Sequence, residues 1–243
     1  GEASSILFTN VLVGDVWILG GQSNMEFDLA RIFHGDAEVL SANFPKIRLM
    51  TIPSSANLKP QKDFERINEY DSWYDRYDKK GYWFTCSPET VPTFYGMGYI
   101  FGRRLHMASQ VPIGLIDASL GGTTVEAWLS PETLAKMPEN SSLLKQWMDK
   151  VIAYSPDEDL KVQVNKWYKD SAARSKEGGK PEPKPSKPSP SPALDRNFPG
   201  SSYIGMISVI AGLTVKGVIF HQGYNNALDD SRPKQYALNL KAM

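Results

Sequence analysis

The sequence predicts an α/β domain built on a mostly parallel sheet. Three apolar runs lead there: Val16 to Leu19, Ile113 to Ser119 and Val215 to Phe220. Each reads as a strand covered on both faces, and each stops abruptly at a glycine-rich or polar turn. Stretches of helical periodicity lie between them, so the connections read as β-α-β. Turns that follow parallel strands gather at one edge of such a sheet, which is where ligands bind.

The elements follow in order. Val16 to Leu19 ends at Gly20 and Gly21, which lack a Cβ and let the backbone turn tightly. Ser23 is left just past the strand. Two roles fit it there, a helix cap or a nucleophile served by a neighbouring base. Glu26 to Leu40 suits a short helix carrying Phe27, Leu29, Ile32 and Phe33, weakened by Gly35. Ile47 to Ile52 alternates between Pro45 and Pro53 and predicts a strand. Pro53 to Lys80 is polar and reads as a long excursion. Its aromatic residues Trp73, Tyr74 and Tyr77 either line a pocket or anchor the loop. Ser87-Pro88-Glu89-Thr90 has the form of a helix entry.

A helix is expected from Phe94 to Ser109, with Phe94, Gly98, Phe101, Leu105 and Ala108 along one buried stripe. His106 falls off that stripe and is expected in solvent. After Ile113 to Ser119, the turn Leu120-Gly121-Gly122-Thr123-Thr124 is either a common connection or one that presents backbone N–H groups to an anion. Ser130 should cap a helix opened by Pro131. Leu143 to Tyr168 predicts two helices split at Pro156. Ser175 to Pro192 is rich in Pro, Lys and Ser, cannot bury a core, and is expected to be extended and mobile. Tyr203 to Ile207 and the residues after Ser231 predict two more helices.

Composition narrows the function classes. The chain has 243 residues, 41% apolar and 22% charged, with zero formal net charge. That balance argues against nucleic acid or an anionic membrane as the main partner. No apolar run approaches the roughly 20 residues of a membrane span. A single cysteine, Cys86, rules out an internal disulfide and reads as a small buried hydrophobe. No Cys/His pair has metal-ligand spacing, and no lysine follows Gly20-Gly21 as a phosphate loop requires, so no metal or cofactor is expected. The chain opens at Gly1 and breaks off inside an expected helix, and so reads as a piece of a longer polypeptide.

Four blocks carry a family resemblance. Gly21-Gln22-Ser23-Asn24-Met25-Glu26 resembles the nucleophile block of the SGNH hydrolases, in their sialate O-acetylesterase and carbohydrate acetylesterase branch. Val111 to Thr123, then Glu126-Ala127-Trp128, then Gly217 to Gly223 match further blocks in the same order. The resemblance spans about Leu12 to Asn226. It implies a three-layer α/β/α fold, incomplete at its C-terminus. Residues 1–13 would be a linker or the last strand of a preceding β-sandwich. Residues 14–243 would form the hydrolase domain, interrupted by a flexible insertion at 175–196.

The resemblance also implies chemistry. Ser23 would attack an acetyl ester of a carbohydrate, sialic acid or another acetylated glycan, and pass through an acyl-enzyme. Oxyanion donors would be the N–H of Ser23, the N–H of Gly122 or Gly121, and a carboxamide from Gln222 or Asn225. Gln22, Asn24, His221 and Tyr224 would line the substrate pocket. Tyr224 stands where the branch usually carries Glu. The family's base is a histidine in a C-terminal Asp-x-x-His block, and His34, His106 and His221 lie outside that pattern. The base would then come from a missing C-terminal segment or a second polypeptide. An extracytoplasmic location goes with the family. A carbohydrate-binding homologue that keeps the cleft without turnover is the alternative.

Overall fold

The computed structural model describes residues 7–64, 67–71, 76–176, 179–180, 182–228 and 233–243. The strands are β1 (Asp15–Gly21), β2 (Phe44–Thr51), β3 (Asn68–Asp71), β4 (Arg76–Lys79), β5 (Phe84–Cys86), β6 (Ile113–Ser119) and β7 (Gly217–His221). The helices are α1 (Ser23–Glu26), α2 (Gly35–Leu40), α3 (Gly96–Ser109), α4 (Pro131–Ala135), α5 (Ser141–Ala153), α6 (Pro156–Lys176), α7 (Tyr224–Ala227) and α8 (Pro233–Ala242). Five strands form one sheet in the order β5-β2-β6-β1-β7. β2, β6, β1 and β7 run parallel, and β5 closes the sheet antiparallel to β2. The α/β fold with a mostly parallel sheet is the expected one.

The inner strands contribute to cores on both faces of the sheet, because successive residues of a strand point to opposite sides, whereas β7, expected to be covered likewise, has no buried residue. Leu115 joins Leu19, Leu49, Met25, Leu29, Phe94 and Tyr99 in one core. Its neighbour Ile116 joins Met50, Ala118, Trp128, Met206 and Ile210 in the other. Helix α3 can lie close on the first face because Gly98 and Gly102 meet Leu19 and Leu115 without a Cβ between them. Cys86 is fully buried beside Ala42, and burial pushes its thiol up to about 11.

Several local expectations are corrected. The expected helix over Glu26 to Leu40 is broken into α1, a 3-10 turn at Leu29–Arg31, and α2. Gly35 opens α2 rather than interrupting a helix, since any Cβ there would strike the Leu29 carbonyl. Strand β5 was not anticipated. Ser87 to Thr90 is a turn closed by the Ser87 N–H on Thr90 Oγ1, not a helix entry. The excursion from Pro53 to Lys80 contains the hairpin β3–β4. Tyr77 sits in β4, whereas Trp73 and Tyr74 lie outside the described residues. Residues 7–13 form no strand. His106 is buried, not in solvent, with Nδ1 2.7 Å from the Val111 carbonyl oxygen.

Other expectations stand. Ser130 Oγ accepts from the Thr133 N–H and caps α4. Helices α5 and α6 meet at Pro156, and α8 follows Ser231. The Pro-rich insertion has no regular structure over 182–191, as expected, yet it is held along α6 rather than left loose. Trp167 Nε1 donates to the Glu182 carbonyl at 2.7 Å, Lys184 Nζ to Tyr168 Oη at 2.9 Å, and the Ser189 N–H to Asp159 at 2.6 Å. Backbone groups of Glu182 and Ser189 and the Lys184 ammonium find partners on a polar helix, which the composition alone does not specify.

Close packing of α3 makes a prediction. Gly98→Val places branched carbon on Leu19 Cδ1, so the core must shift. The expected loss is about 1–3 kcal/mol of stability by urea unfolding.

Candidate active site

The three parallel strands bring their turns to one place. In register, Gly21 of β1 lies between Ser119 of β6 and His221 of β7. The backbone stitches the turns just beyond: the Gln22 N–H donates to the His221 carbonyl, and the Leu120 N–H to the Gly21 carbonyl. A Cβ built on Gly121 would lie 3.7 Å from Ser23 Cα. Asn225 Nδ2 donates to the Gly122 carbonyl at 2.7 Å, and Asn225 Oδ1 accepts from Gln22 Nε2 at 3.2 Å. Segments about 100 and 200 residues apart therefore meet around Ser23.

Ser23 is exposed and is the first residue of α1. The cap position belongs to Gln22, and no side chain caps the helix. Hence the hydroxyl is not spent on capping. Among the described residues no histidine hydrogen-bonds to it. His106 is committed to Val111, His34 precedes α2 with its ring against Phe33, and His221 is exposed at the end of β7.

The glycine turn after β6 is gripped almost peptide by peptide. Glu26 accepts the Gly121 N–H at 2.6 Å, which leaves that amide unable to serve an anion. Arg196 Nη1 donates to the Gly121 carbonyl at 2.8 Å. Gln222 Nε2 donates to the Thr123 carbonyl, and the Thr124 N–H donates to Asn197 Oδ1. The N–H groups of Gly122 and Thr123 donate to no described residue. Thr123 is fully buried, whereas Gly122 is half-buried. Gly122 has φ +73°, a left-handed conformation that a side chain would strain.

The carboxamides divide their roles in a way the sequence left open. Both protons of Gln222 Nε2 are used, on Thr123 and on Asn226 Oδ1. Asn225 spends one amide proton on Gly122 and keeps the other. Gln22, expected at the substrate, is buried and turned inward, joining Asn225 and the Gly223 N–H. Asn24 and Tyr224 are exposed, Tyr224 at 72%. Glu26, Arg196, Asn197 and Asn226 were missed as site residues. Glu26 lay inside a recognised block, but Arg196 closes the expected insertion, Asn197 follows it, and neither has a local signature.

Beneath the turn lies a buried carboxylate. Glu126 is 2% exposed and accepts from Asn226 Nδ2 and Asn239 Nδ2 at 2.9 Å. Asn239 in turn accepts from Asn140, and Asn226 Oδ1 takes the Val125 N–H. Asp117, in β6, is also fully buried. Loss of hydration pushes its carboxyl well above the usual carboxylate range, and hydrogen bonds from Ser119 only partly oppose this. Among the described residues no His/Cys/Asp/Glu group is arranged to hold a metal, and no helix is long and apolar enough to cross a membrane.

Two predictions follow from these buried acids. Folded Asp117 keeps its proton to higher pH than the unfolded chain does, so its contribution is intact below about pH 3.9 and declines as pH rises through the folded value. Asp117→Asn should flatten that decline, with its advantage over wild type growing between pH 4.5 and pH 7.5 in urea titrations. Glu126→Leu orphans the Asn226 and Asn239 amides and should cost about 2–5 kcal/mol in the same assay.

Comparison with known proteins places this arrangement. The family described as "Carbohydrate esterase, sialic acid-specific acetylesterase" matches residues 13–154, more than half of the chain. The sialate O-acetylesterase of Mus musculus is 30% identical over 138 residues, 51% of this chain and 22% of that protein. The sialate O-acetylesterase of Rattus norvegicus is 27% identical over 232 residues, 90% of this chain and 36% of that protein. The crystal structure of a carbohydrate acetylesterase from Xanthomonas citri superimposes with a TM-score of 0.61 at 24% identity. That match covers 95% of this chain and 37% of the other, and at this identity it supports the fold alone. The chain spans about a third or less of the length of these relatives. By its sequence profile, with the Ser23 turn inside the matched residues, the chain belongs to the sialic acid-specific acetylesterase family of carbohydrate esterases.

Proposed function

We propose that this chain carries the nucleophile and oxyanion half of a serine esterase that removes O-acetyl groups from carbohydrates. The observation that carries this reading is the approach of the Ser23 turn, whose hydroxyl caps no helix, to the Gly121–Gly122 turn, whose Gly122 N–H donates to no described residue, beside an Asn225 carboxamide that retains a free N–H. Ser23 Oγ attacks the acetyl carbonyl and gives its proton to a base. The carbonyl oxygen becomes an oxyanion between the N–H groups of Ser23 and Gly122 and Asn225 Nδ2. The sugar oxygen leaves with a proton, and water then frees acetate from the acetyl-serine. Donors of this kind are worth roughly 2.7–4 kcal/mol each in the transition state. Family membership and the named relatives favour acetylated sugars, sialic acid among them, as the substrate class.

The base is the part this chain does not supply in our reading, because none of its histidines reaches Ser23. A further segment or a second polypeptide would bring it. A second reading, a carbohydrate-binding homologue without turnover, is favoured by the same histidine positions and by exposed Tyr224 next to Asn225.

Fluorophosphonate labelling of the protein at its natural length separates the two readings. Modification at Ser23 that is lost in Ser23→Ala supports the esterase. Sugar binding without labelling supports the binding protein. Asn225→Ala should lower kcat for acetyl hydrolysis about 10²–10³-fold with little change in KM. The 243-residue chain alone should hydrolyse p-nitrophenyl acetate barely above buffer, since loss of the histidine in a serine hydrolase costs roughly 10⁶ in kcat.

A further inference from the structure

Arg196 and Asn197 lie just past the Pro-rich stretch Ser175 to Pro192, yet both reach the glycine turn. The Gly121 carbonyl and the Gly122 N–H are the two ends of one planar peptide unit. A group that holds the oxygen therefore sets where the N–H points. Arg196 is that group. Its charge on the oxygen also polarises the amide and makes the N–H a stronger donor. The neighbouring units are pinned too. Leu120 O accepts from Thr123 Oγ1 at 2.7 Å while Glu26 holds the Gly121 N–H. The Thr123–Thr124 unit is held at both ends, by Gln222 on its oxygen and Asn197 on its N–H.

The strap that delivers these two side chains is itself fixed. The Asn197 N–H closes on Asp195 Oδ1 at 2.8 Å. Phe198 is buried with its ring 5.6 Å from that of Trp147 on α5. The Gly200 N–H donates to the Glu126 carbonyl at 2.9 Å. The turn thus depends on a segment that enters from the insertion side of the fold.

We infer that Arg196 and Asn197 are positioning residues, Arg196 holding the Gly121–Gly122 peptide unit and Asn197 the Thr123–Thr124 unit, so that the Gly122 N–H faces the reacting carbonyl oxygen. This rests on the esterase reading for its catalytic consequence, but the geometric claim stands apart from it. Arg196→Ala, Arg196→Lys and Asn197→Ala are made in the protein at its natural length. Two readouts are taken.

The first is amide hydrogen exchange of residues 120–125. The inference expects at least tenfold faster exchange there in Arg196→Ala and in Asn197→Ala, with α3 and β6 unchanged. Unaltered exchange in the turn, or a rise spread over the whole domain, overturns it. The second is turnover. Arg196→Ala should lower kcat about tenfold or more with KM within threefold and Tm unchanged. Arg196→Lys should retain most activity, and millimolar guanidinium should partly restore Arg196→Ala. A kcat equal to wild type, or a loss carried by KM and insensitive to guanidinium, overturns it. If the wild-type protein shows no turnover, the esterase reading fails, and the exchange result alone decides the positioning role.

Discussion

The constraint on which this structure turns is the need to satisfy a carboxylate buried beneath the site. Glu126 sits in the wall below the glycine turn with 2% exposure, and the described partners of its oxygens are the amides of Asn226 and Asn239. A buried acid with too few partners is costly, so each contributing segment is held in place by that need. Asn226 comes from α7, Asn239 from α8, and Asn239 reaches on to Asn140 before α5. Two regions about 100 residues apart, one holding Glu126 and Asn140 and the other Asn226 and Asn239, are thereby referenced to one point.

Above that point, hydrogen-bonding capacity is distributed unevenly. Most donors and acceptors around Gly121 to Val125 are consumed inside the protein. Those left over among the described residues include the Gly122 and Thr123 N–H groups and one proton of Asn225. Groups held in advance need little rearrangement when charge develops beside them. The same economy explains Gln22 and Gln222, which look like pocket residues in sequence but serve as struts between β1, β6 and β7.

Much of the architecture was legible in the residues. Apolar runs that stop at glycines announced the three parallel strands, and Ser130-Pro131 announced α4 with its cap. The short β5 was not legible, because Phe84 to Cys86 is too brief to show a period. His106 was misjudged because its polarity suggested solvent, while a carbonyl from the following loop provides a buried partner. At the site, the resemblance pointed to Ser23, Gly122 and the third block. It did not separate Gln222 from Asn225, since which carboxamide keeps a free proton depends on neighbours about 100 residues away. Arg196 and Asn197 were invisible for a related reason: their role exists only once the strap folds over the turn.

Strand β7 has a further consequence. It ends the sheet, paired with β1 alone, and Val218 on it is 52% exposed. A ribbon clasped along one side has a rotational freedom that an inner strand lacks. The carboxamide ties from Gln22 and Gln222 act as its second hinge-pin. Whatever lies against its outer margin would tilt the Gly223–Asn226 corner and so adjust the spacing between Asn225 and the serine. On the esterase reading proposed above, the geometry around the serine would in that way be set partly from outside the site.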